Sequence, residues 1–212
     1  MLVCPLCKHS HIRPYHQDKR RHYLQCSRCE LVFVPEDERL AAEAEKAIYD
    51  QHENDPNDQG YRRFLSRFAS PLLERLEPES TGLDFGCGPG PTLSLMLEEA
   101  GHRTELYDLF YYPDNGVLES RYDFVTATEV IEHLYTPDRV WQQWLNLVKP
   151  GGWLGIMTKL VKDVEAFSGW HYKNDQTHVC FYSQATFRYL AGRDKLELEF
   201  IGNDVILLRK PQ

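Results

Sequence analysis

The residues from Leu83 to Gly90 constrain the fold most, because they place three glycines at every second position directly after a short apolar run. Glycine has no Cβ, so backbone N–H groups there can close tightly on a ligand where a buried strand turns into a helix. Pro91 suits the first turn of that helix, and Gly101 suits the position just past its end. The stretch therefore predicts a strand, a ligand-binding turn and a helix over 91–100. The GxGxG spacing differs from the dinucleotide fingerprint GxGxxG, and alone it does not identify the ligand.

The next segment indicates what the turn binds. Residues 102–107 have the pattern of a second strand, and Asp108 closes it 18 residues past Gly90. A carboxylate at that strand end can accept hydrogen bonds from both hydroxyls of a ribose. The turn and Asp108 together predict a ligand that contains a nucleoside.

A further strand, Tyr122 to Thr126, leads into a group of ionisable residues that begins after Thr128. Open α/β sheets bind ligands at the carboxyl ends of their strands, which is where this group falls. If the segment is helical, Glu129, Glu132 and His133 share one face and would then share a proton, a substrate or a metal. The competing interpretation is a general helix-start feature beside the cofactor.

A loop over 168–183, which follows the strand Trp153 to Thr158, carries two more candidates, His171 and His178. His133 or His178 would suit a general base, because the pKa of histidine is naturally near the working pH. A structural alternative is that His178 caps the helix that starts near Ser183. The residues from Trp170 to Tyr172 are candidates for a lid that excludes water, or for packing.

Four motifs in order, LDFGCGPG, Asp108, YDFVTATEVIEHL and LVKPGGWLGI, resemble the class I S-adenosylmethionine-dependent methyltransferase family over residues 58–212. The resemblance implies an α/β, Rossmann-like sheet that is mostly parallel with an antiparallel last strand. It places the methionine part of the cofactor at the glycine turn and its ribose on Asp108. The cofactor-binding residues that it implies are Asp84, Gly86, Cys87, Gly88, Gly90, Asp108, Leu109, Thr128 and Glu129. Only 14 residues separate Asp108 from Asp123, and they favour turns, so the family's third strand is predicted to be short or absent.

The resemblance also bears on the catalytic group. An E-x-x-E-H motif with a distant histidine is similar to metal-assisted O-methyltransferases, which include ubiquinone-type enzymes and small-RNA 2′-O-methyltransferases. It implies a divalent ion on Glu129, Glu132, His133 and His178 that binds the acceptor oxygen and lowers its pKa. With His171, these are the candidate catalytic residues. A metal site, a histidine base and a purely structural role all stay open at this point.

Two CxxC pairs, Cys4 with Cys7 and Cys26 with Cys29, predict a structural zinc site near the amino terminus. Strands are predicted at 23–25 and 31–34, so the unit resembles a zinc ribbon. His9 or His11 is an alternative ligand in place of a cysteine. The module would serve as a flap that binds a substrate or partner. The alternative is a purely structural role, in which zinc stabilises a segment too small to bury a core.

The charge of the chain is divided unevenly. Residues 1–34 carry six Lys and Arg against two Asp and Glu, a net +4, which leaves −12 for the rest of a chain of net charge −8. Four thiolates on one Zn²⁺ would lower the module to about +2, which is little for a phosphate-binding surface. We therefore expect a small-molecule acceptor, and nucleic acid is not the expected partner.

These patterns give an expected organisation of a zinc ribbon over 1–34, an acidic helical linker over 35–57 and a methyltransferase domain over 58–212. No apolar run approaches the roughly 20 residues that span a bilayer, and no signal peptide is evident, so a cytoplasmic protein is expected. The predicted activity is transfer of a methyl group from S-adenosylmethionine to an oxygen, or else a carbon, of a small molecule. The alternatives are an RNA methyltransferase and a non-catalytic cofactor-binding regulatory or scaffold protein.

Overall fold

The computed structural model describes residues 2–50 and 55–212. Its strands are β1 (Ile12–Gln17), β2 (His22–Cys26), β3 (Val32–Phe33), β4 (Thr81–Phe85), β5 (Arg103–Tyr107), β6 (Tyr122–Thr128), β7 (Val148–Met157), β8 (Cys180–Phe181), β9 (Glu197–Ile201) and β10 (Val205–Arg209). Its α-helices are α1 (Ala42–Tyr49), α2 (Gln59–Leu73), α3 (Thr92–Glu99), α4 (Pro137–Leu147), α5 (Val164–Ser168) and α6 (Gln184–Asp194). Short 3-10 turns cover Glu36–Glu38, Asn115–Glu119, Ile131–His133 and His171–Asn174.

The main sheet has six strands in the order β5-β4-β6-β7-β10-β9. The first four are mutually parallel, and β10 is antiparallel to both of its neighbours. The predicted fold class, a mostly parallel Rossmann-like sheet with an antiparallel last strand, is confirmed. Parallel strands end at a common edge, so the segments that follow β4, β5, β6 and β7 are brought together there.

The third strand of the family is absent from the described chain. Between β5 and β6 the backbone forms only an isolated bridge between Asp108 and Tyr112 and the 3-10 turn Asn115–Glu119. That turn begins at Asp114, whose side chain accepts a hydrogen bond from the N–H of Gly116. The turn-forming residues predicted there are therefore used as turns, and β5 is the edge of the sheet.

Two apolar clusters cover the two faces of the sheet. One is built from α2 and α3 and includes Phe68, Leu97 and Phe124. The other includes Trp141 and Trp144 of α4 and continues without a break into the amino-terminal residues, among them the Cys4, Cys7, Cys26 and Cys29 region. The amino-terminal module, residues 2–34, is thus part of the packing of only one face.

The amino-terminal module forms a second sheet in the order β1-β2-β3-β8. Strands near 23–25 and 31–34 were predicted, and β2 and β3 lie there. The structure adds two strands that were not predicted. One is β1, whose pairing with β2 is irregular between Pro14 and His16. The other is β8, which comes from the long loop after β7 and pairs with β3, so that loop is joined to the module.

The acidic segment after Pro35 does not form one continuous helix. It forms the 3-10 turn Glu36–Glu38 and, after a break, α1. Residues 51–54 of the predicted linker lie outside the described residues, and the boundaries at 34 and 57 stay predictions. Within 2–50 and 55–212, no helix combines the length and apolar character needed to cross a membrane.

Candidate active site

The glycine turn, residues 86–90, joins β4 to α3 as predicted. Gly86 and Gly88 adopt φ values of +76° and +67°, in the left-handed region that favours glycine. The N–H of Gly86 donates to the carbonyl of Tyr107, 2.7 Å away, which fixes the turn beside the end of β5. A Cβ built on Gly86 would lie 2.5 Å from Cγ2 of Val130, so the turn also packs tightly on the segment after β6.

Asp108 lies at the end of β5, where its carboxylate accepts three backbone hydrogen bonds. The donors are the N–H groups of Gly88 at 3.0 Å, Phe110 at 2.8 Å and Tyr111 at 3.1 Å. The carboxylate is therefore held against the glycine turn in one orientation. Its role as the ribose ligand stays a prediction. The neighbouring Leu109 is exposed, with 68% of its surface accessible.

Asp84 is buried one residue before the end of β4. Its Oδ1 accepts a hydrogen bond of 2.8 Å from the hydroxyl of Thr126, which is its partner in the parallel pairing of β4 with β6. Burial raises the pKa of Asp84 to about 6. A buried carboxylate beneath the turn is a source of negative charge that a cationic ligand would stabilise.

The segment after β6 is not the helix that would place Glu129, Glu132 and His133 on one face. Glu129 has a φ of +54°, and its N–H donates to the carbonyl of Met157 at the end of β7. A left-handed residue ends regular helical geometry, so only the 3-10 turn Ile131–His133 follows. Glu129 therefore does not share a helical face with Glu132 and His133.

Glu132, His133 and His178 converge. One potential ligand atom from each lies within 4.8 Å of the other two, and we call this group the imidazole cluster. The two imidazole rings are 4.7 Å apart, centroid to centroid. The predicted pairing of the motif after β6 with the distant His178 is therefore present in the structure. Glu129 does not join this group, so the four-residue set implied by the resemblance is reduced to three.

Backbone carbonyls fix the orientation of both imidazoles. Nδ1 of His178 lies 2.7 Å from the carbonyl oxygen of Tyr172, and Nδ1 of His133 lies 3.2 Å from that of Thr177. A carbonyl only accepts, so each Nδ1 carries the proton and donates. In the neutral ring the lone pair is then on Nε2, where it can bind a metal or accept a proton.

Glu132 is fully buried and is held by two hydroxyl groups. The hydroxyl of Thr158 donates to its Oε2 at 3.0 Å, and the hydroxyl of Tyr172 donates to its Oε1. Tyr172 also approaches Glu129, with 3.3 Å between its hydroxyl and Oε2. The sequence suggested Tyr172 only as part of a lid or as packing. No local motif marks it, because its partner carboxylates are 40 and 43 residues away along the chain.

Glu129 lies between the imidazole cluster and the glycine turn. Its Oε1 is buried and has no hydrogen-bond partner within the described chain. Burial, together with the charges of Asp84 and Glu129, raises the pKa of Tyr61 to about 12, which places both carboxylates near that ring. An unpartnered buried oxygen needs a donor, and a bound ligand would supply one.

Burial shifts the ionisation of this site. It raises the pKa of Glu129 and of Glu132, and it lowers that of His178 in spite of the nearby Asp175. The pKa of Tyr172 is raised well above its ordinary value by burial and by the two carboxylates. His178 is therefore neutral near pH 7, and Tyr172 remains a hydrogen-bond donor.

One structural alternative for the histidines is wrong. His178 does not cap α6, because Ser183 does so by accepting a hydrogen bond of 3.1 Å from the N–H of Thr186. His171 lies outside the imidazole cluster, and its candidate catalytic role stays a prediction. It is exposed, and its Nε2 lies 3.0 Å from Nζ of Lys159.

Four cysteines form a separate site in the amino-terminal module. The Sγ atoms of Cys4 and Cys29 are 3.5 Å apart, as are those of Cys7 and Cys26, and all four lie within 4.8 Å of one another. Tetrahedral zinc with Zn–S bonds of about 2.3 Å requires S–S distances of about 3.8 Å, so the four sulfurs fit Zn²⁺. His9 and His11 are not among the converging ligand atoms, and the alternative in which one replaces a cysteine is not supported.

A mostly parallel sheet with a glycine turn after one strand and an acidic residue at the end of the next defines a Rossmann-like, class I methyltransferase fold. The methyltransferase domain family matches residues 57–198. The chain therefore belongs to this family, and residues 57–198 form a domain of the S-adenosylmethionine-dependent class.

Individual proteins agree with this assignment. A ubiquinone biosynthesis O-methyltransferase of Shewanella pealeana is 30% identical over 89 residues, which are 42% of this chain and 38% of that protein. The match thus spans less than half the length of that relative. The crystal structure of the Burkholderia thailandensis 1,6-didemethyltoxoflavin-N1-methyltransferase, with 1,6-didemethyltoxoflavin and S-adenosylhomocysteine bound, has a TM-score of 0.50 at 17% identity and covers 94% of this chain and 99% of its own. The structure of an O-methyltransferase family protein from B. thailandensis has a TM-score of 0.52 at 16% identity. The match covers 80% of this chain and 60% of that protein. At these identities the two structures show a shared fold.

Proposed function

We propose that this protein transfers the methyl group of S-adenosylmethionine to a hydroxyl oxygen of a small molecule, with a divalent cation held by Glu132, His133 and His178. The observation that carries the proposal is the convergence of these three side chains at the sheet edge that also carries the glycine turn. Two histidines and one carboxylate form a ligand set that leaves a coordination position open for substrate. A relative named as an O-methyltransferase supports oxygen as the acceptor atom.

The glycine turn, Asp84 and Asp108 would bind the cofactor. The φ values of Gly86 and Gly88 keep side chains away from the place where the cofactor's amino-acid part approaches the backbone. Asp108 is already oriented by three N–H donors and would accept the ribose hydroxyls. The buried, unpartnered Oε1 of Glu129 would accept a hydrogen bond from the cofactor or the acceptor.

The imidazole cluster would prepare the acceptor oxygen. A divalent cation there would lower the pKa of a bound hydroxyl group and orient a lone pair toward the methyl carbon. The oxygen would then form its bond to that carbon as the carbon–sulfur bond breaks with its electron pair left on sulfur, and the hydroxyl proton would pass to solvent water. The protein's contribution is mostly positioning, because the neutral thioether that departs from the sulfonium is a good leaving group. Tyr172 would hold Glu132 as a ligand, and the two carbonyls would fix the orientation of both imidazole rings.

A histidine base is the second mechanism. Burial keeps His178 neutral near pH 7, so its Nε2 could take the hydroxyl proton directly without a metal. In either mechanism a small molecule suits the site better than RNA, because the net charge of −12 on residues 35–212 would repel phosphates.

Binding measurements test the proposal without knowledge of the acceptor. S-adenosylhomocysteine should bind the zinc-loaded protein in calorimetry, and Asp108→Ala should weaken it about a hundredfold through loss of roughly 3 kcal/mol of hydrogen bonding. An absence of binding to the folded protein would reject the cofactor assignment, and an unchanged affinity of the variant would reject the ribose role.

Mn²⁺ titration followed by electron paramagnetic resonance tests the proposed divalent-cation site. We expect one Mn²⁺ per chain, lost in His178→Ala and in Glu132→Gln. Glu129→Gln is the matched control, because it makes the same charge change outside the cluster and should retain Mn²⁺. If the wild type binds S-adenosylhomocysteine but no Mn²⁺, Mg²⁺ or Co²⁺, the metal mechanism is wrong and the histidine base takes its place.

A further inference from the structure

A buried arginine of the amino-terminal module contacts the segment that carries His178. Arg21 lies in the turn between β1 and β2 and is only 5% exposed. Its Nη2 donates to the carbonyls of Lys173 at 2.7 Å and Asp175 at 2.8 Å, and its Nη1 donates to that of Gln176 at 3.1 Å. The planar guanidinium suits this arrangement, because it presents several donors in fixed directions.

A buried network supports the arginine. The hydroxyl of Tyr23 accepts from Nε of Arg21 at 3.1 Å and donates to Oδ2 of Asp18 at 2.9 Å. Asp18 also forms an ion pair of 3.2 Å with Lys173, whose side chain is 6% exposed. Asp18 thus contacts Lys173 directly and the Arg21 guanidinium through the hydroxyl of Tyr23, so the network joins the turn of the module to the segment that Arg21 binds.

The same segment, residues 172–178, orients both imidazoles from its other carbonyls. The carbonyl of Tyr172 accepts from His178, and that of Thr177 accepts from His133. Carbonyls at 173, 175 and 176 accept from Arg21, and those at 172 and 177 accept from the histidines. The 172–178 segment is therefore a layer between the amino-terminal module and the imidazole cluster.

Backbone pairing continues this connection on the carboxyl side of the segment. The N–H of Val34 donates to the carbonyl of Val179 at 2.9 Å, and the N–H of Val179 donates to the carbonyl of Glu132 at 2.8 Å. β3 and β8 pair immediately after it. One residue thus links the module to the 3-10 turn that carries Glu132 and His133.

We propose that Arg21 is a positioning residue for the imidazole cluster, and that the amino-terminal module acts as a structural part of the active site. The chemistry that the positioned histidines perform rests on the proposed function, whereas the positioning itself rests on the contacts above. The glycine turn lies apart from this network, since the polar contacts of Asp108 are to Gly88 and to the loop after β5.

Arg21→Met and Arg21→Lys test the proposal in the zinc-loaded, full-length protein. Lysine keeps the charge but cannot donate to three carbonyls in the arginine's geometry. Loss of a group that orients a metal ligand typically costs 10–100-fold in affinity, and Arg21 holds the segment whose carbonyls orient both histidines, so we expect Mn²⁺ affinity to fall about tenfold in both variants. Affinity for S-adenosylhomocysteine and zinc content should not change. Arg20→Met is the matched control, since Arg20 is exposed and adjacent, and it should behave as wild type.

Amide hydrogen exchange provides an independent measurement at the segment itself. Exchange of the amides at 177–179 should accelerate in the Arg21 variants and remain at the wild-type rate in Arg20→Met. Zinc-replete Arg21→Lys with wild-type Mn²⁺ affinity and wild-type exchange would overturn the proposal. If the wild type binds no Mn²⁺, the metal part of the proposed function fails. Amide exchange at 177–179 in the Arg21 variants then tests the positioning role of Arg21. Faster exchange supports that role, and unchanged exchange overturns it.

Discussion

The glycine turn and the imidazole cluster lie at one edge of the same sheet, but they are built in different ways. The turn is formed by neighbouring residues whose backbone conformations require glycine, and Asp108 joins it from the next strand. The cluster is formed by two segments more than 40 residues apart, and a third segment, the amino-terminal module, holds one of them. The turn is therefore a local structure, whereas the cluster depends on tertiary contacts.

The two regions share part of their packing, because Phe85, Tyr107 and Val130 beside the turn belong to the same apolar cluster as the module, but the helix after the turn does not. α3, which follows the glycine turn, belongs to the apolar cluster that it forms with α2. The 172–178 segment, with Tyr172, belongs to the cluster that includes the amino-terminal cysteines. Loss of the module should therefore disturb the imidazole cluster far more than the glycine turn. This asymmetry can be tested.

Cys26→Ser should give the largest effect. It removes one of four converging thiols, so zinc content should fall below half an equivalent per chain in elemental analysis. Because the module holds the 172–178 segment, Mn²⁺ affinity at the imidazole cluster should fall more than tenfold. S-adenosylhomocysteine affinity should stay within about twofold of wild type, because the N–H groups that orient Asp108 come from Gly88, Phe110 and Tyr111 and not from the module.

Cys87→Ser is the control for this change. It removes a thiol from the glycine turn and should leave zinc and Mn²⁺ binding intact. If Cys26→Ser loses S-adenosylhomocysteine and Mn²⁺ binding together while the protein remains folded, the glycine turn depends on the module as much as the imidazole cluster does.

The difference between local structure and tertiary contacts also explains which parts of the site could be predicted from the sequence. The strand, turn and helix around Gly86 were predicted correctly, because left-handed glycines and the Pro91 and Gly101 boundaries are local signals. The absent third strand followed from the short distance between Asp108 and Asp123. The order and direction of the strands followed from the family resemblance.

The contacts of the imidazole cluster were harder to predict. The left-handed conformation of Glu129 is unusual for a residue with a side chain, and tight packing of Val130 on Gly86 accompanies it. Tyr172 and Arg21 carry no motif, and both act through partners that are distant in sequence. β1 was missed because Pro14 and an irregular register interrupt the alternation that predicts a strand.

Gly86→Ala should give the next largest effect. Alanine would be strained at a φ of +76°, and its Cβ would lie 2.5 Å from Val130, so the free energy of unfolding should fall by about 3 kcal/mol. S-adenosylhomocysteine binding should be lost, because the turn must shift to relieve the contact. Chemical denaturation and calorimetry measure the two effects.

Gly101→Ala distinguishes the backbone strain of an alanine at positive φ from the steric contact of its Cβ with neighbouring atoms. Gly101 has a φ of +92° but no atom within 4 Å of a built Cβ, so only about 1 kcal/mol of strain is expected, with no loss of cofactor binding. Should Gly86→Ala bind S-adenosylhomocysteine normally while folded, the glycine turn is not the cofactor site.

Asp84→Asn should have a smaller effect than Gly86→Ala, and the sign of its pH dependence is informative. Burial raises the pKa of Asp84 to about 6, from an ordinary value of about 4. A carboxyl group with a raised pKa in the folded state contributes stability that is complete below the unfolded pKa and is lost as pH rises through the folded pKa. The difference corresponds to roughly 2 to 3 kcal/mol between pH 4 and pH 7.

Asparagine keeps an oxygen acceptor for Thr126 but does not ionise. Asp84→Asn should therefore remove this part of the pH dependence, and its stability relative to wild type should rise from pH 4 to pH 7 in denaturant titrations. Asp123→Asn is the opposite control, because hydrogen bonds from Thr81 and Lys149 lower the pKa of Asp123 and its contribution is lost as pH falls. If both variants change stability with pH in the same direction, burial does not control the ionisation of Asp84. The glycine turn would then lie over a hydrated carboxylate, and its charge would be screened from a bound sulfonium.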